Sequence, residues 1–251
     1  MRKEINLYGI EIQPFDKFES KVLGFYKNNN NLYSGLAFAG SSIEDNRKNQ
    51  KYSDLDSNII LSEKQIPLFI EKLYKDPMSM GTYFDSISQY PLIHSLVDGN
   101  GRIFRLDVFL FIPENGLVFN DPIKTIPKMI KDDPKNLFNS LSISRASNKS
   151  GIEFENANLH LIDWMFYLWN KTMRQVPIEK NNIELFKKMA WNVFSIDFTN
   201  LESNKINTPN DLLKFIFLIK SRDEFNKGLS SENRNIFSRL LAQMMADLGN
   251  Y

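Results

Sequence analysis

One twelve-residue stretch of the chain, residues 94–105, gathers the side chains that could do chemistry. Its sequence is His-Ser-Leu-Val-Asp-Gly-Asn-Gly-Arg-Ile-Phe-Arg, which combines an imidazole, a carboxylate, two glycines, an amide and two guanidinium groups. The Asp-Gly-Asn-Gly core predicts a tight turn, followed by a helix from about Gly101 to Phe111. Backbone N–H groups at the start of such a helix attract anions, so the expected occupant of the turn is phosphate.

The charged side chains of this stretch would complete the anion site. On the predicted helix Arg102 and Arg105 are three residues apart, share one face and could both donate to phosphate oxygens. Asp98 could hold Mg²⁺, which needs only one or two carboxylates besides phosphate oxygens and water. His94 titrates near neutral pH and could accept a proton from an incoming hydroxyl. The stretch therefore predicts a phosphate and metal site beside a general base.

The stretch resembles the signature of the Fic (filamentation induced by cAMP) family, H-P-F-x-D/E-G-N-G-R-x-x-R. Seven functional positions match in identity and spacing: His94, Asp98, Gly99, Asn100, Gly101, Arg102 and Arg105. Ser95 and Leu96 replace the usual proline and phenylalanine. Beyond this motif the resemblance is loose and covers about residues 30 to 130.

The resemblance implies a protein adenylyltransferase, which transfers AMP from ATP·Mg²⁺ to a Ser, Thr or Tyr hydroxyl of a target protein. Glycine at position 101, where a phosphate-transferring branch has lysine, favours AMP transfer. The roles it implies are the general base for His94, the metal ligand for Asp98, and ATP binding for Gly99, Asn100, Gly101, Arg102 and Arg105. The alternative is a nucleotide-binding regulatory protein whose turnover is weak because of Ser95 and Leu96.

The motif has two other interpretations, a calcium-binding loop and a plain structural turn. In a calcium loop with Asp98 and Asn100 as third and fifth ligands, the first position would be Leu96 and the twelfth Asp107 instead of glutamate. The loss of the first ligand argues against calcium. A plain structural turn explains the glycines, but it does not explain His94 together with the charged groups.

A second element of the Fic family carries an inhibitory glutamate. Residues 41–46, Ser-Ser-Ile-Glu-Asp-Asn, match that element imperfectly and make Glu44 the candidate. Residues 221–224, Ser-Arg-Asp-Glu, are a second near match. The resemblance thus implies auto-inhibition, with Glu44 pairing with Arg105 and competing with phosphate for its donors.

Helical spacing dominates the rest of the chain. Ser62 and Gln65 predict a capping box and a helix to about Tyr74, whose regular part begins later because of Pro67. Further helices are predicted at about 79–90, 101–111, 153–173, 181–194, 208–221 and 230–248, and short strands at 57–61 and 7–12. With the resemblance, this pattern predicts an all-α, Fic-like bundle with a short β-hairpin flap. A catalytic domain would span residues 1–174, and residues 175–251 would form a helical extension packed on it.

Composition limits the classes of partner. Hydrophobic residues make up 42% of the chain, and the net charge is +1, so a packed core is expected without a broad attraction to nucleic acid or anionic membranes. The absence of cysteine excludes disulfides and thiolate nucleophiles. No run of about 18 apolar residues occurs, and the first residues do not resemble a signal peptide. We therefore expect a cytoplasmic protein without nucleic-acid or membrane partners, and a homo-oligomer is compatible with this composition.

Overall fold

The computed structural model describes residues 14–39, 51–52, 54–85, 92–111, 128–131, 157–198, 206 and 208–249. The chain divides into two compact units, residues 1–155 and 156–251. The first unit contains a β-sheet with helices, and the second is helical in its described part. The helix at residues 157–173 therefore groups with the C-terminal unit, whereas the sequence analysis placed it in a domain ending at residue 174.

The first unit is built on a mixed six-stranded sheet. Its strands are β1 (Gly35–Ala39), β2 (Leu55–Ile60), β3 (Ser79–Asp85), β4 (Leu92–Asp98), β5 (Ile103–Phe111) and β6 (Lys128–Lys131). Their order across the sheet is β3-β4-β5-β2-β1-β6. Strands β2 and β5 at the centre are parallel, and the other neighbouring pairs are antiparallel. This central parallel pair carries the candidate site.

The predicted all-α bundle is wrong, because two of its expected helices are strands of this sheet. Residues predicted as helices at about 79–90 and 101–111 form β3 and β5 where the structure describes them. Along β5, charged Arg105 and Asp107 alternate with apolar Leu106 and Val108, and this period of two belongs to a strand. The strand predicted at 57–61 is confirmed as β2, but it is paired on both sides within the sheet, so it is not the predicted flap; the strand predicted at 7–12 lies outside the described residues.

The Asp-Gly-Asn-Gly segment joins β4 to β5 as a tight hairpin. Gly99 N–H donates to the Arg102 carbonyl at 2.7 Å, which leaves Asn100 and Gly101 as the two central turn residues. Their φ angles are +66° and +87°, as a type I′ turn requires. A strand follows this turn where a helix was expected, so the predicted helix N-terminus does not form at residues 101–102.

One face of the sheet forms the core of the first unit with two helices, α1 (Pro14–Asn28) and α2 (Ile66–Lys75). Helix α1 contributes a run of aromatic side chains, in which Phe18 stacks on Phe104 of β5 with ring centroids 4.9 Å apart. Phe69 of α2 packs edge-on against Phe25 of α1. Because side chains alternate along a strand, the residues between these core positions point to the opposite face of the sheet.

Helix α2 begins after Gln65, later than Ser62 as Pro67 predicted, and only one half of the predicted capping box forms. Gln65 Oε1 accepts hydrogen bonds from the backbone N–H and the hydroxyl of Ser62, at 3.1 and 2.9 Å. A short 3₁₀ turn at Glu63–Gln65 precedes the regular helix, which places Pro67 in the first α-helical turn. Proline is tolerated there because that turn has no intrahelical acceptor for its N–H.

The second unit is a bundle of helices. They are α3 (Ala157–Met173), α4 (Lys180–Phe194), α5 (Pro209–Lys220), α6 (Asp223–Gly228) and α7 (Ser231–Leu248). The helices predicted at 153–173, 181–194, 208–221 and 230–248 are thus confirmed within a few residues at each end. Within the described part of the chain, no helix is both long and apolar enough to span a membrane.

Candidate functional site

Three carboxylates meet on the face of the sheet opposite the core. In the parallel pairing of β2 with β5, Asp56 lies directly beside Asp107. Asp54 precedes Asp56 by two residues and therefore lies on the same face. One carboxylate oxygen from each of the three lies within 4.8 Å of the others. Asp107 is buried, whereas Asp54 and Asp56 are partly exposed, so the cluster is open on one side.

His94 of β4 lies next to this cluster and joins two carboxylates. It is only 2% exposed. Its Nδ1 lies 2.6 Å from Asp107 Oδ1, and its Nε2 lies 3.1 Å from Oδ2 of Asp85, at the end of β3. The sheet dictates this arrangement, since His94 is the register partner of Asp107 on β5 and of Tyr83 on β3. The imidazole therefore connects the site across three strands.

Arg105 supplies a second buried cation. Its Nε donates to Asp107 Oδ1 at 3.1 Å, and its Nη1 lies 3.9 Å from Asp54 Oδ2. Its Nη2 lies 2.8 Å from Nδ1 and 3.2 Å from Nε2 of His94, so the guanidinium lies against the imidazole ring. Arg105 thus orients two of the three clustered carboxylates at once.

The protonation states follow from these contacts. Burial acts to lower the pKa of His94 and the Arg105 guanidinium lowers it further, but Asp107 and Asp85 outweigh both and raise it to about 9. Burial acts to raise the pKa of Asp107, yet Arg105 and His94 hold it below its usual range. At neutral pH His94 is therefore an imidazolium that donates to two carboxylates. A general base, by contrast, must be unprotonated.

The donor set suits a hard divalent cation. Carboxylate oxygens are the ligands that Mg²⁺ prefers, and a Mg²⁺ site is commonly completed by water and substrate phosphates. The described contacts that His94 and Arg105 make with Asp107 both fall on its Oδ1. Oδ2 of Asp107 is therefore the oxygen that could bind a metal. Carboxylate ligands of metals are usually held by such secondary hydrogen bonds, because these fix their orientation.

The turn residues singled out by sequence occupy a different place from this cluster of carboxylates. Gly99, Asn100 and Gly101 form the tip of the hairpin. The Oδ1 of Asp98 accepts the Gly101 N–H at 2.8 Å, so one oxygen of this predicted metal ligand stabilises the turn. The Asp98 carbonyl accepts from the Lys21 ammonium group of α1. The described contacts give the turn a structural role.

The two arginines of the motif do not share a face. Arg102 donates from Nε to the Lys51 carbonyl at 3.1 Å, and its guanidinium lies over the rings of Tyr52 and Phe104. Phe104 belongs to the core face, and Arg105, the next residue, points to the opposite face. The structure therefore joins His94 and Arg105 in one cluster and separates Arg102 from them. Glu44 lies outside the described residues.

Sequence reasoning missed the four aspartates of the site. Asp54 and Asp56 are two residues apart just before the strand predicted at 57–61, and this spacing indicates that both lie on one face if the strand begins earlier. Arg105 and Asp107 carry the same signal on β5. Asp85 offered no comparable pattern, because its role depends on the pairing of β3 with β4.

No protein-family model matches the chain, and no curated protein shows significant sequence similarity to it. The Fic resemblance therefore rests on the twelve-residue motif, and membership of that family stays a prediction. The arguments that follow rely on the geometry of the site.

Proposed function

We propose that this protein is a Mg²⁺-dependent nucleotidyltransferase in which Asp54, Asp56 and Asp107 hold the metal. The observation that carries the proposal is the convergence of these three carboxylates to within 4.8 Å on adjacent parallel strands. Strands make a rigid platform, so the ligands need little rearrangement to bind a cation. The surrounding hydrogen bonds from His94 and Arg105 add to this preorganisation.

Nucleotidyl transfer is the reaction class that such a donor set serves best. Clustered carboxylates that bind Mg²⁺ are the metal-binding groups of polymerases and nucleases, where the reacting atom is a phosphorus with charged oxygens. Among the described residues, the three clustered carboxylates and Asp85 outnumber the two cations, His94 and Arg105, which favours a cation over a bare phosphate. ATP would therefore bind together with Mg²⁺.

The proposed reaction transfers AMP to a hydroxyl group. The hydroxyl oxygen of the acceptor forms a bond to the α-phosphorus of ATP, and the bond from that phosphorus to the α,β-bridging oxygen breaks. Pyrophosphate leaves with the electron pair, and the hydroxyl proton passes to water. Mg²⁺ held by Asp54, Asp56 and Asp107 would supply charge stabilisation for the phosphate oxygens. The acceptor predicted from the motif, a Ser, Thr or Tyr hydroxyl of another protein, is compatible with this chemistry.

His94 and Arg105 have different tasks in this proposal from those implied by the Fic resemblance. His94 keeps its proton and holds Asp107 in place, and Arg105 orients Asp54 and Asp107. The metal ligands are the three clustered aspartates, and Asp98 stabilises the hairpin turn. The reaction stays the same, but other residues perform it.

The test compares aspartate-to-asparagine variants at the two alternative metal sites. Asp56→Asn and Asp107→Asn each remove a charge from the cluster, whereas Asp98→Asn keeps the Oδ1 acceptor of the turn and is the matched control. We expect wild type and Asp98→Asn to bind ATP·Mg²⁺ in titration calorimetry and to release pyrophosphate with equal rates. The two cluster variants should lose pyrophosphate release by at least about a hundredfold, the effect of about 3 kcal/mol.

The opposite pattern would support the motif. If Asp98→Asn abolishes turnover while Asp56→Asn and Asp107→Asn keep it, the metal lies at the hairpin and the cluster is structural. If wild type binds no ATP with Mg²⁺ present, nucleotidyl transfer is wrong for this chain.

Three further expectations stay predictions. A cytoplasmic location fits the proposal because ATP is abundant there, and the proposal requires neither nucleic acid nor a membrane as partner. Inhibition by Glu44 would appear as increased self-labelling from α-labelled ATP in Glu44→Gly. If Glu224→Gly is the variant that increases self-labelling, the inhibitory residue is C-terminal.

A further inference from the structure

Asn58 stands beside the carboxylate cluster with an unused hydrogen-bond donor. It follows Asp56 by two residues on β2 and therefore lies on the same sheet face as Asp54 and Asp56. Its side chain is 6% exposed, and its Nδ2 has no hydrogen-bond partner in the described part of the chain. Buried amide groups nearly always have a partner, so this donor needs an explanation.

An unsatisfied buried donor lowers the stability of the protein that contains it. The amide has lost its contacts with water without replacing them, and an apolar side chain of the same size would avoid that cost. Such costly groups cluster at functional sites, where a ligand supplies the missing contact. The position of Asn58 beside the proposed metal site indicates a ligand that binds at that site.

The neighbours of Asn58 indicate which part of the ligand it contacts. Two residues along a strand span about 6.6 Å, so Asn58 lies one step beyond the carboxylates that would hold the metal and phosphates. Its register partners are Ala37 on β1 and Phe109 on β5, which share its face of the sheet. Ala37 is small and buried, and Phe109 is partly exposed. One amide donor between apolar neighbours suits an uncharged ring system better than a phosphate.

We propose that Asn58 Nδ2 donates a hydrogen bond to the nucleoside part of the bound nucleotide, to an acceptor atom of its sugar or base. Asn58 thereby contributes to nucleotide selection, while the aspartates and their metal bind the phosphates. This inference rests on the proposed nucleotidyl transfer.

The experiment replaces the amide by an apolar group of similar size. Wild type, Asn58→Leu and Asn58→Ser are titrated by calorimetry with ATP·Mg²⁺ and, separately, with inorganic tripolyphosphate·Mg²⁺. Asn170→Leu is the matched control, because Asn170 is also buried with an unsatisfied amide atom but belongs to the helical unit. Melting temperatures are measured on the same samples without ligand.

We expect both Asn58 variants to bind ATP about tenfold more weakly, with unchanged affinity for tripolyphosphate. The melting temperature of Asn58→Leu should be equal to or above that of wild type, and Asn170→Leu should keep wild-type ATP affinity. 2′,3′-Dideoxy-ATP then assigns the contact. A penalty that disappears with this analogue places the contact on a ribose hydroxyl, and one that persists places it on the base or on the ring oxygen O4′.

Several results would overturn the inference. Equal ATP affinity of wild type and Asn58→Ser, or an equal loss for ATP and tripolyphosphate, would show that Asn58 does not contact the nucleoside. A loss of ATP affinity in Asn170→Leu of the same size would show that the effect is a general disturbance of the fold. Failure of wild type to bind ATP would instead remove the proposed function itself, so the two failures are distinguishable.

Discussion

Replacing His94 with glutamine should weaken the sheet unit in a strongly pH-dependent way. The imidazolium donates to Asp107 at 2.6 Å and to Asp85 at 3.1 Å, and glutamine cannot carry the charge that both carboxylates face. A rise of the His94 pKa from 6.5 to about 9 corresponds to about 3 kcal/mol of stability. Two charge-assisted hydrogen bonds of about 1.5 to 3 kcal/mol each, reduced by the cost of burying the ion, give a similar magnitude.

The sign of the pH dependence follows from proton binding. Between pH 6.5 and about 9 the folded protein holds a proton on His94 that the unfolded chain releases, so rising pH favours unfolding. The contribution is complete below pH 6.5 and is lost as pH rises through about 9. The difference in unfolding free energy between wild type and His94→Gln should therefore be larger at pH 6 than at pH 9.5 by about 3 kcal/mol.

The assay must report on the sheet unit without bound metal. All three tryptophans, Trp164, Trp169 and Trp191, belong to the helical unit, so their fluorescence does not follow the sheet. Hydrogen exchange of β4 and β5 peptides in a chelating buffer measures the opening free energy at each pH. His160→Gln is the control for loss of a buried imidazole in the helical unit.

Two results would refute this reasoning. The first is a difference between wild type and His94→Gln that stays constant from pH 6 to pH 9.5. The second comes from NMR. The chain has only two histidines, so the His94 ring signals can be assigned by comparison with His160→Gln. A titration midpoint at or below pH 6.5 for His94 would mean that the carboxylates do not hold its proton.

Three further predictions concern the turn, the core and a helix cap. Gly101→Ala should destabilise the sheet unit by about 1 to 2 kcal/mol because φ is +87° there, whereas Asn100→Gly should be nearly neutral; hydrogen exchange of the β4 and β5 peptides compares the two. By the same measurement, Phe69→Ala should lower the unfolding free energy of the sheet unit by about 3 to 5 kcal/mol, since its ring is fully buried in the core. A loss below about 1 kcal/mol would contradict that packing. Thr208→Ala should lower the unfolding free energy of the helical unit by about 1 kcal/mol, because Thr208 and Asp211 cap α5 reciprocally. Tryptophan fluorescence during urea unfolding measures this loss, and an unchanged midpoint would argue against the cap.

The helical unit could be predicted from sequence because its signals are local. Helix α3 repeats apolar residues at steps of three and four, and Thr208 precedes α5 as a recognisable cap. Parts of the sheet unit carry no such local signal. In β4 six consecutive residues are buried on both faces, so the strand shows no alternation of polar and apolar residues. The Asn100-Gly101 pair is a hairpin signal, which the prediction of a helix from about Gly101 overlooked.

The candidate site could be predicted only in pieces. The two-residue spacing of Asp54 and Asp56 predicts that both lie on one face of a strand. The same spacing makes the same prediction for Arg105 and Asp107. That these two pairs meet depends on the parallel pairing of β2 with β5, which no local pattern specifies. The protonation of His94 depends in turn on Asp85 and Asp107 arriving from two other strands. Tertiary neighbours, more than residue type, decide whether this histidine acts as a base or as a positioning cation.

The parallel pairing of β2 with β5 also bears on how the protein folds. The hairpin of β4 and β5 closes a two-residue loop, and such hairpins form in microseconds. Asp56 and Asp107 are separated by about 50 residues, so joining their strands requires the closure of a long loop with a larger entropic cost. Contacts of this range slow folding. During synthesis the three carboxylates of the proposed metal site can come together only after β5 has left the ribosome, because Asp107 belongs to that strand.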